Sequence, residues 1–80
     1  MAVEDKLQRR ILQEISRLSK SSRVSDAPAN GIHLNLIIMD MLVAILLDKI
    51  TIEHFVVLTM KIKFPQIGLF YQEFFKDELV

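Results

Sequence analysis

Five basic side chains near the start of the chain have the spacing best suited to a binding function. They are Lys6, Arg9, Arg10, Arg17 and Lys20. On a helix all five fall within about 100° of one another, so they form one band, here called the basic stripe. Asp5 and Glu14 lie at its borders. Such a band can dock phosphates or an acidic protein, although an ordinary solvated helix face has a similar composition.

The sequence offers little for catalysis or for metal binding. His33 and Asp40 are about 10 Å apart along a helix, too far to share a metal ion whose ligands lie at about 2 Å. The chain has no cysteine, and two glycines cannot form a glycine-rich phosphate loop. We therefore expect a protein that is not an enzyme and that uses no metal and no cofactor.

The composition favours a small domain that needs a partner. Eighty residues allow a single domain, 1–80. A chain of this length buries only about 60–65% of its unfolded surface, yet 51% of its residues are hydrophobic. A second copy of the chain is the simplest partner. Ten acidic residues balance ten basic ones. Because nothing points to an oxidising compartment, the expected location is cytoplasmic.

Apolar side chains recur with helical spacing along most of the chain. Residues 3–20 predict an amphipathic basic helix, and residues 32–80 predict an apolar helical core. Residues 19–31 are rich in serine and include Pro28 and Gly31, which predicts a flexible loop. The apolar arc of the first helix consists of Val3, Leu7, Ile11, Ile15 and Leu18, with Leu12 at its edge.

The helices of the apolar core have local start signals. Asn30 is an expected N-cap for a central helix over about 32–49. Thr51 is the expected cap of a helix over 52–62, and Pro65 starts the last helix. The third helix is expected to expose Glu53, His54, Val57 and Lys61 and to bury Phe55, Val56, Leu58, Thr59 and Ile62. Gly68 is expected to permit a close approach of a neighbouring backbone.

The central helix is apolar around nearly three-quarters of its circumference. Its polar residues His33, Asp40 and Asp48 share a strip of about 80° with Ala44 and Ile37. The apolar run spans about 24 Å, less than the hydrocarbon thickness of about 30 Å, and a central aspartate costs roughly 2.5–3.5 kcal/mol there. We therefore predict a core helix rather than a membrane span.

The last two helices have the outline of a helix-turn-helix, with a brief turn at 61–64. The second of them would present Gln66, Leu69, Gln72, Glu73, Lys76 and Asp77. Two acidic residues and one lysine are a poor surface for DNA, and the turn has no glycine. With the basic stripe, this outline still leaves a nucleic-acid-associated transcriptional regulator as the alternative function.

Together these features predict an all-α fold. We expect a small bundle of three to four helices around the central helix, completed by dimerisation, because three other helices cannot cover all of its apolar surface. The expected function is a non-catalytic protein–protein interaction module acting as a homodimer: a small adaptor, regulator or assembly factor. An acidic protein is a further expected partner, through the basic stripe. The residues expected at the self-association surface are Leu36, Met39, Leu42, Val43, Leu46, Phe70, Phe74 and Phe75.

Overall fold

The computed structural model of the protein describes residues 4–21, 29–62 and 65–79. Over these residues the chain forms the helices α1 (Asp5–Ser21), α2 (Ala29–Leu46), α3 (Ile52–Met60) and α4 (Pro65–Phe74). No described residue belongs to a β-strand. The predicted class, a small all-α bundle, is confirmed. The chain divides into two compact units, Met1–Lys49 and Ile50–Val80; α1 packs against α2 in the first, and α3 against α4 in the second.

The ends of α1 and α2 differ from the sequence prediction. α1 continues to Ser21 and α2 begins at Ala29, so both extend into the segment 19–31 that the sequence assigns to a loop. Asn30 therefore lies inside α2 and is not its N-cap. Residues 22–28 and Val3 lie outside the described residues.

The first unit is an antiparallel helix pair. α1 buries Leu7, Ile11 and Leu18, and α2 buries Ile38, Leu42 and Ile45. Near one end, Asn35 Nδ2 donates a hydrogen bond of 3.4 Å to the carbonyl oxygen of Leu18. This carbonyl belongs to the last turn of α1, where it has no helical donor. Asn35 is near the start of α2 and contacts the end of α1. The rest of α2 therefore packs along α1 in the opposite direction.

α2 ends earlier than predicted, and Asp48 stops it. Leu46 is the last helical residue, and Asp48 has a φ of 61°. The Lys49 N–H donates to the Ala44 carbonyl at 2.8 Å and the Asp48 N–H to the Ile45 carbonyl at 3.0 Å. This pair of bonds is a Schellman motif with Asp48 in the left-handed position, where glycine is usual. Asp48 therefore leaves the helix, and the predicted end near Lys49 is wrong by one turn.

The second unit starts as its sequence predicts. Thr51 caps α3, and its hydroxyl accepts a hydrogen bond of 3.0 Å from the His54 N–H. The four residues expected on the exposed side of α3 are exposed. Of the expected buried residues, Phe55, Val56 and Thr59 are buried, whereas Leu58 and Ile62 are half-buried.

α3 and α4 cross closely at Gly68. A Cβ added to Gly68 would lie 2.7 Å from the Cα and 2.9 Å from the N of Met60, which are backbone atoms that cannot move aside alone. The close approach expected of this glycine is confirmed. Beside the crossing, Phe55 packs edge-on against Tyr71 and Phe75, with ring centroids 5.1 and 5.6 Å apart. All three rings are buried, so they form the centre of this unit.

Candidate interaction surfaces

α2 carries large apolar side chains on its exposed side as well as on its buried side. Leu36 and Ile37 are each 52% exposed, and Leu47 beyond the helix end is 62% exposed. Asp40 is exposed among them. The packing of α1 therefore leaves much of the apolar surface of this helix uncovered.

The exposed apolar residues of α1 and α2 extend over one side of the helix pair. On each helix, the angular position of a residue can be measured from the line that faces the other helix, at about 100° per residue. Because the two helices run in opposite directions, residues at the same angle from that line lie on the same side of the pair. The exposed and half-buried apolar residues on one side of the pair lie at angles of about 60–120° on α1 and about 70–150° on α2. The shared side, here called the apolar face, consists of Leu12, Ile15, Leu36, Met39, Val43 and Leu46.

The members of the apolar face differ in exposure. Leu12, Leu36 and Val43 are exposed, whereas Ile15, Met39 and Leu46 are half-buried. Ile37 is as exposed as Leu36 but is displaced by about 100° in the opposite rotational sense, which places it on the other side of the pair. The apolar face therefore draws on both helices, whereas Ile37 lies with the half-buried Leu34 and Met41 on the other side, where α1 carries Arg10 and Arg17.

The residues expected at a self-association surface fall into two groups. Leu36, Val43 and Phe70 are exposed, and Met39, Leu46 and Phe74 are half-buried. Leu42 and Phe75 are fully buried in the chain and offer no surface to a partner. Leu42 lies on the side of α2 that faces α1, and Phe75 packs against Phe55. Sequence periodicity did not separate the groups, because apolar residues surround most of α2.

The basic stripe is on the surface of α1, but one of its members is held by an internal ion pair. Lys6, Arg9, Arg17 and Lys20 are exposed, and Arg10 is half-exposed. Arg17 Nε and Nη2 donate to the two carboxylate oxygens of Glu14 at 3.0 and 2.6 Å.

The carboxylate of Glu14 changes the charge that the stripe offers to a partner. Glu14 is 5% exposed, although the sequence places it at a border of the stripe. A bidentate pair of this kind is stronger than a single hydrogen bond. It offsets one positive charge, so Lys6, Arg9 and Lys20 provide most of the charge available to an acidic partner. The i,i+3 spacing of Glu14 and Arg17 was the signal for this pair.

The outer face of α4 is nearly balanced in charge. All six residues expected to form it are exposed. Lys76 Nζ lies 3.0 Å from Glu73 Oε2, and this hydrogen bond with Glu73 raises the pKa of Lys76. With its lysine paired and Asp77 next to it, the face has little attraction for a phosphate backbone.

The described residues contain neither a metal-binding cluster nor a membrane span. They hold no group of three or more His, Asp or Glu side chains arranged to bind a metal ion. No helix among them has the length and apolar content to cross a bilayer. The side chain of His33 lies outside the described residues.

Comparison with known proteins gave no relative: no protein-family model, no curated protein and no solved structure matches this chain.

Proposed function

We propose that this protein is a non-catalytic protein–protein interaction module that works as a homodimer, in the role of a small adaptor, regulator or assembly factor. The observation that carries the proposal is the apolar face, which spans both helices of the first unit. Monomeric soluble proteins rarely leave a contiguous apolar surface of this kind exposed to water. The proposal assumes the cytoplasm, because nothing in the sequence points to an oxidising compartment.

The physical gain from dimerisation comes from covering these side chains. Leu12, Leu36 and Val43 are already about half-buried in the monomer, so covering each of them contributes about half of the roughly 1.5–3 kcal/mol for a fully exposed Leu or Val side chain. A two-fold dimer covers Leu12, Leu36 and Val43 twice, once in each subunit. That gain must exceed an association cost of about 4–15 kcal/mol, so we expect a weak dimer.

Sedimentation velocity over a range of micromolar concentrations tests the proposal. The informative variant is Leu36→Glu, which puts a charge into the apolar face and should give a monomer at all concentrations. Ile37→Glu is the matched control, because it has the same exposure on the same helix but lies on the other side of the pair. It should leave the dimer intact. A wild-type chain that remains monomeric at high micromolar concentration would contradict the proposal.

A second part of the proposal concerns an acidic protein partner for the basic stripe. Its support is the exposure of Lys6, Arg9 and Lys20 on one helix. Changing these three residues to Glu should abolish capture of that partner from the native cell, measured at a concentration at which sedimentation shows that the variant is still a dimer. Fluorescence anisotropy with labelled duplex DNA provides the contrasting outcome. Binding that the same three changes abolish would favour a nucleic-acid-associated regulator.

A further inference from the structure

The charges at the two outer edges of the helix pair are opposite in sign. On α1 the line pointing directly away from α2 carries Arg9 and Lys20, with Asp5 at its start. On α2 the line pointing directly away from α1 carries Asp40, and Leu47 follows on the same line beyond the helix end. Each of these charged side chains is exposed. The apolar face therefore has a mainly basic edge and an acidic edge.

The hydrogen bond between the two helices fixes which residues lie at the same height. Asn35 lies level with Leu18, and α2 runs opposite to α1. Five residues further along α2, Asp40 is therefore level with Gln13. Arg9 and Lys20 lie on either side of that level, about 6 and 10 Å away along the helix. The acidic charge of α2 thus has the same height as the middle of the basic edge of α1.

Two copies can join their apolar faces in two ways with two-fold symmetry. If the axis lies parallel to the helices, α1 of each copy packs on α2 of the other. If it lies across the helices, α1 packs on α1 and α2 on α2. Packed helices are about 8–10 Å apart, which is close to the Debye length of about 10 Å at 0.1 M salt. The edge charges therefore favour one of the two dimers over the other.

We infer that the second copy binds with its α2 against α1 of the first, across a two-fold axis parallel to the helices. This inference rests on the proposed homodimer. In this arrangement Asp40 of each copy lies along the edge that holds Arg9 and Lys20 of the other. In the alternative arrangement, Asp40 of one copy meets Asp40 of the other, and the basic edges also meet.

The absence of cysteine from the chain allows a direct test by disulfide cross-linking. In the inferred dimer, Leu12 of one copy and Val43 of the other have Cα atoms about 6 Å apart, within the range of a disulfide. The variants Leu12→Cys and Val43→Cys are purified separately, shown to dimerise by sedimentation, mixed and oxidised. Covalent dimers should form in the mixture, and their yield should be severalfold lower in either variant alone.

The other outcomes separate the arrangement from the dimer itself. Equal cross-linking of each single variant and of the mixture overturns the inference and indicates that like helices meet. A dimer that cross-links in none of the three samples also overturns it. A wild-type chain that is monomeric overturns the proposed function, and the inference with it.

A charge variant gives a second readout that does not depend on cysteine. Asp40→Asn removes an attraction in the inferred dimer, so it should weaken dimerisation by about 1.5- to 5-fold at low salt and have less effect at high salt. If like helices meet, the same variant removes a repulsion and strengthens the dimer. Stronger dimerisation of Asp40→Asn would therefore overturn the inference.

Discussion

The two helix pairs of this protein achieve their packing in different ways. The α3–α4 pair has an aromatic centre around Phe55 and a backbone contact at Gly68 that tolerates no added atom. The α1–α2 pair has aliphatic contacts and the interhelical bond from Asn35. Aromatic pairs prefer particular ring geometries, whereas an aliphatic core tolerates hydrophobic substitutions that keep its volume. The difference predicts that the second unit is the more sensitive to substitution and that the first has surface available for a partner.

The largest effect is expected at the aromatic centre of the second unit. Phe55→Ala should lower the free energy of unfolding by about 3–5 kcal/mol, because it leaves a cavity between Tyr71 and Phe75. Val57→Ala on the exposed side of α3 is the control and should change it by less than about 0.5 kcal/mol. Chemical denaturation at a fixed protein concentration measures both. Equal effects of the two variants would remove the basis of the comparison.

The next effect is expected where α3 and α4 cross. Gly68→Ala should lower the free energy of unfolding by about 1–3 kcal/mol, although alanine is about 1 kcal/mol better than glycine within a helix. The double variant Met60→Ala/Gly68→Ala removes the contact with Met60 Sδ but should not recover stability, because the methyl group still meets the Cα and N of residue 60. Recovery in thermal or chemical denaturation would show that side-chain crowding alone sets this distance.

The second unit was also the part whose structure the sequence predicted best. Its helix starts depend on local signals, the hydroxyl of Thr51 and the fixed φ of Pro65, and both were placed correctly. Such signals need no knowledge of the rest of the chain. The sides of α3 were also predictable, because its polar residues interrupt the apolar ones at helical spacing.

The first unit was harder to predict because its decisive features depend on tertiary contacts. Burial of Glu14 depends on α2 packing beside it, although its partner Arg17 is close in sequence. Asn35 had no pattern to mark it as the donor to α1. The end of α2 is set by Asp48 in a conformation that sequence rules assign first to glycine. The apolar face could be predicted only in part, since Leu12 was placed at the edge of a buried arc.

A smaller effect is expected from the polar contact between α1 and α2. Asn35→Ala should lower the free energy of unfolding by about 0.5–1.5 kcal/mol, because the carbonyl of Leu18 loses its donor. Asn35→Gln keeps an amide and is the control for the loss of polarity. If Asn35→Ala lowers the free energy of unfolding as much as Phe55→Ala does, the first unit is as sensitive to substitution as the second.

The smallest effect, and the one with the opposite sign, is expected at the end of α2. Asp48→Gly should raise the free energy of unfolding by about 0.5–1 kcal/mol, because glycine adopts a positive φ without the steric cost of a Cβ. It also removes a negative charge from the C-terminal end of a helix, where the dipole disfavours an anion. Asp48→Ala separates these causes: it removes the charge but keeps the Cβ, so it should gain less than glycine. If chemical denaturation shows that Asp48→Gly destabilises the protein, the carboxylate of Asp48 itself stabilises the turn. The end of α2 would then be more sensitive to substitution than the contacts between α1 and α2.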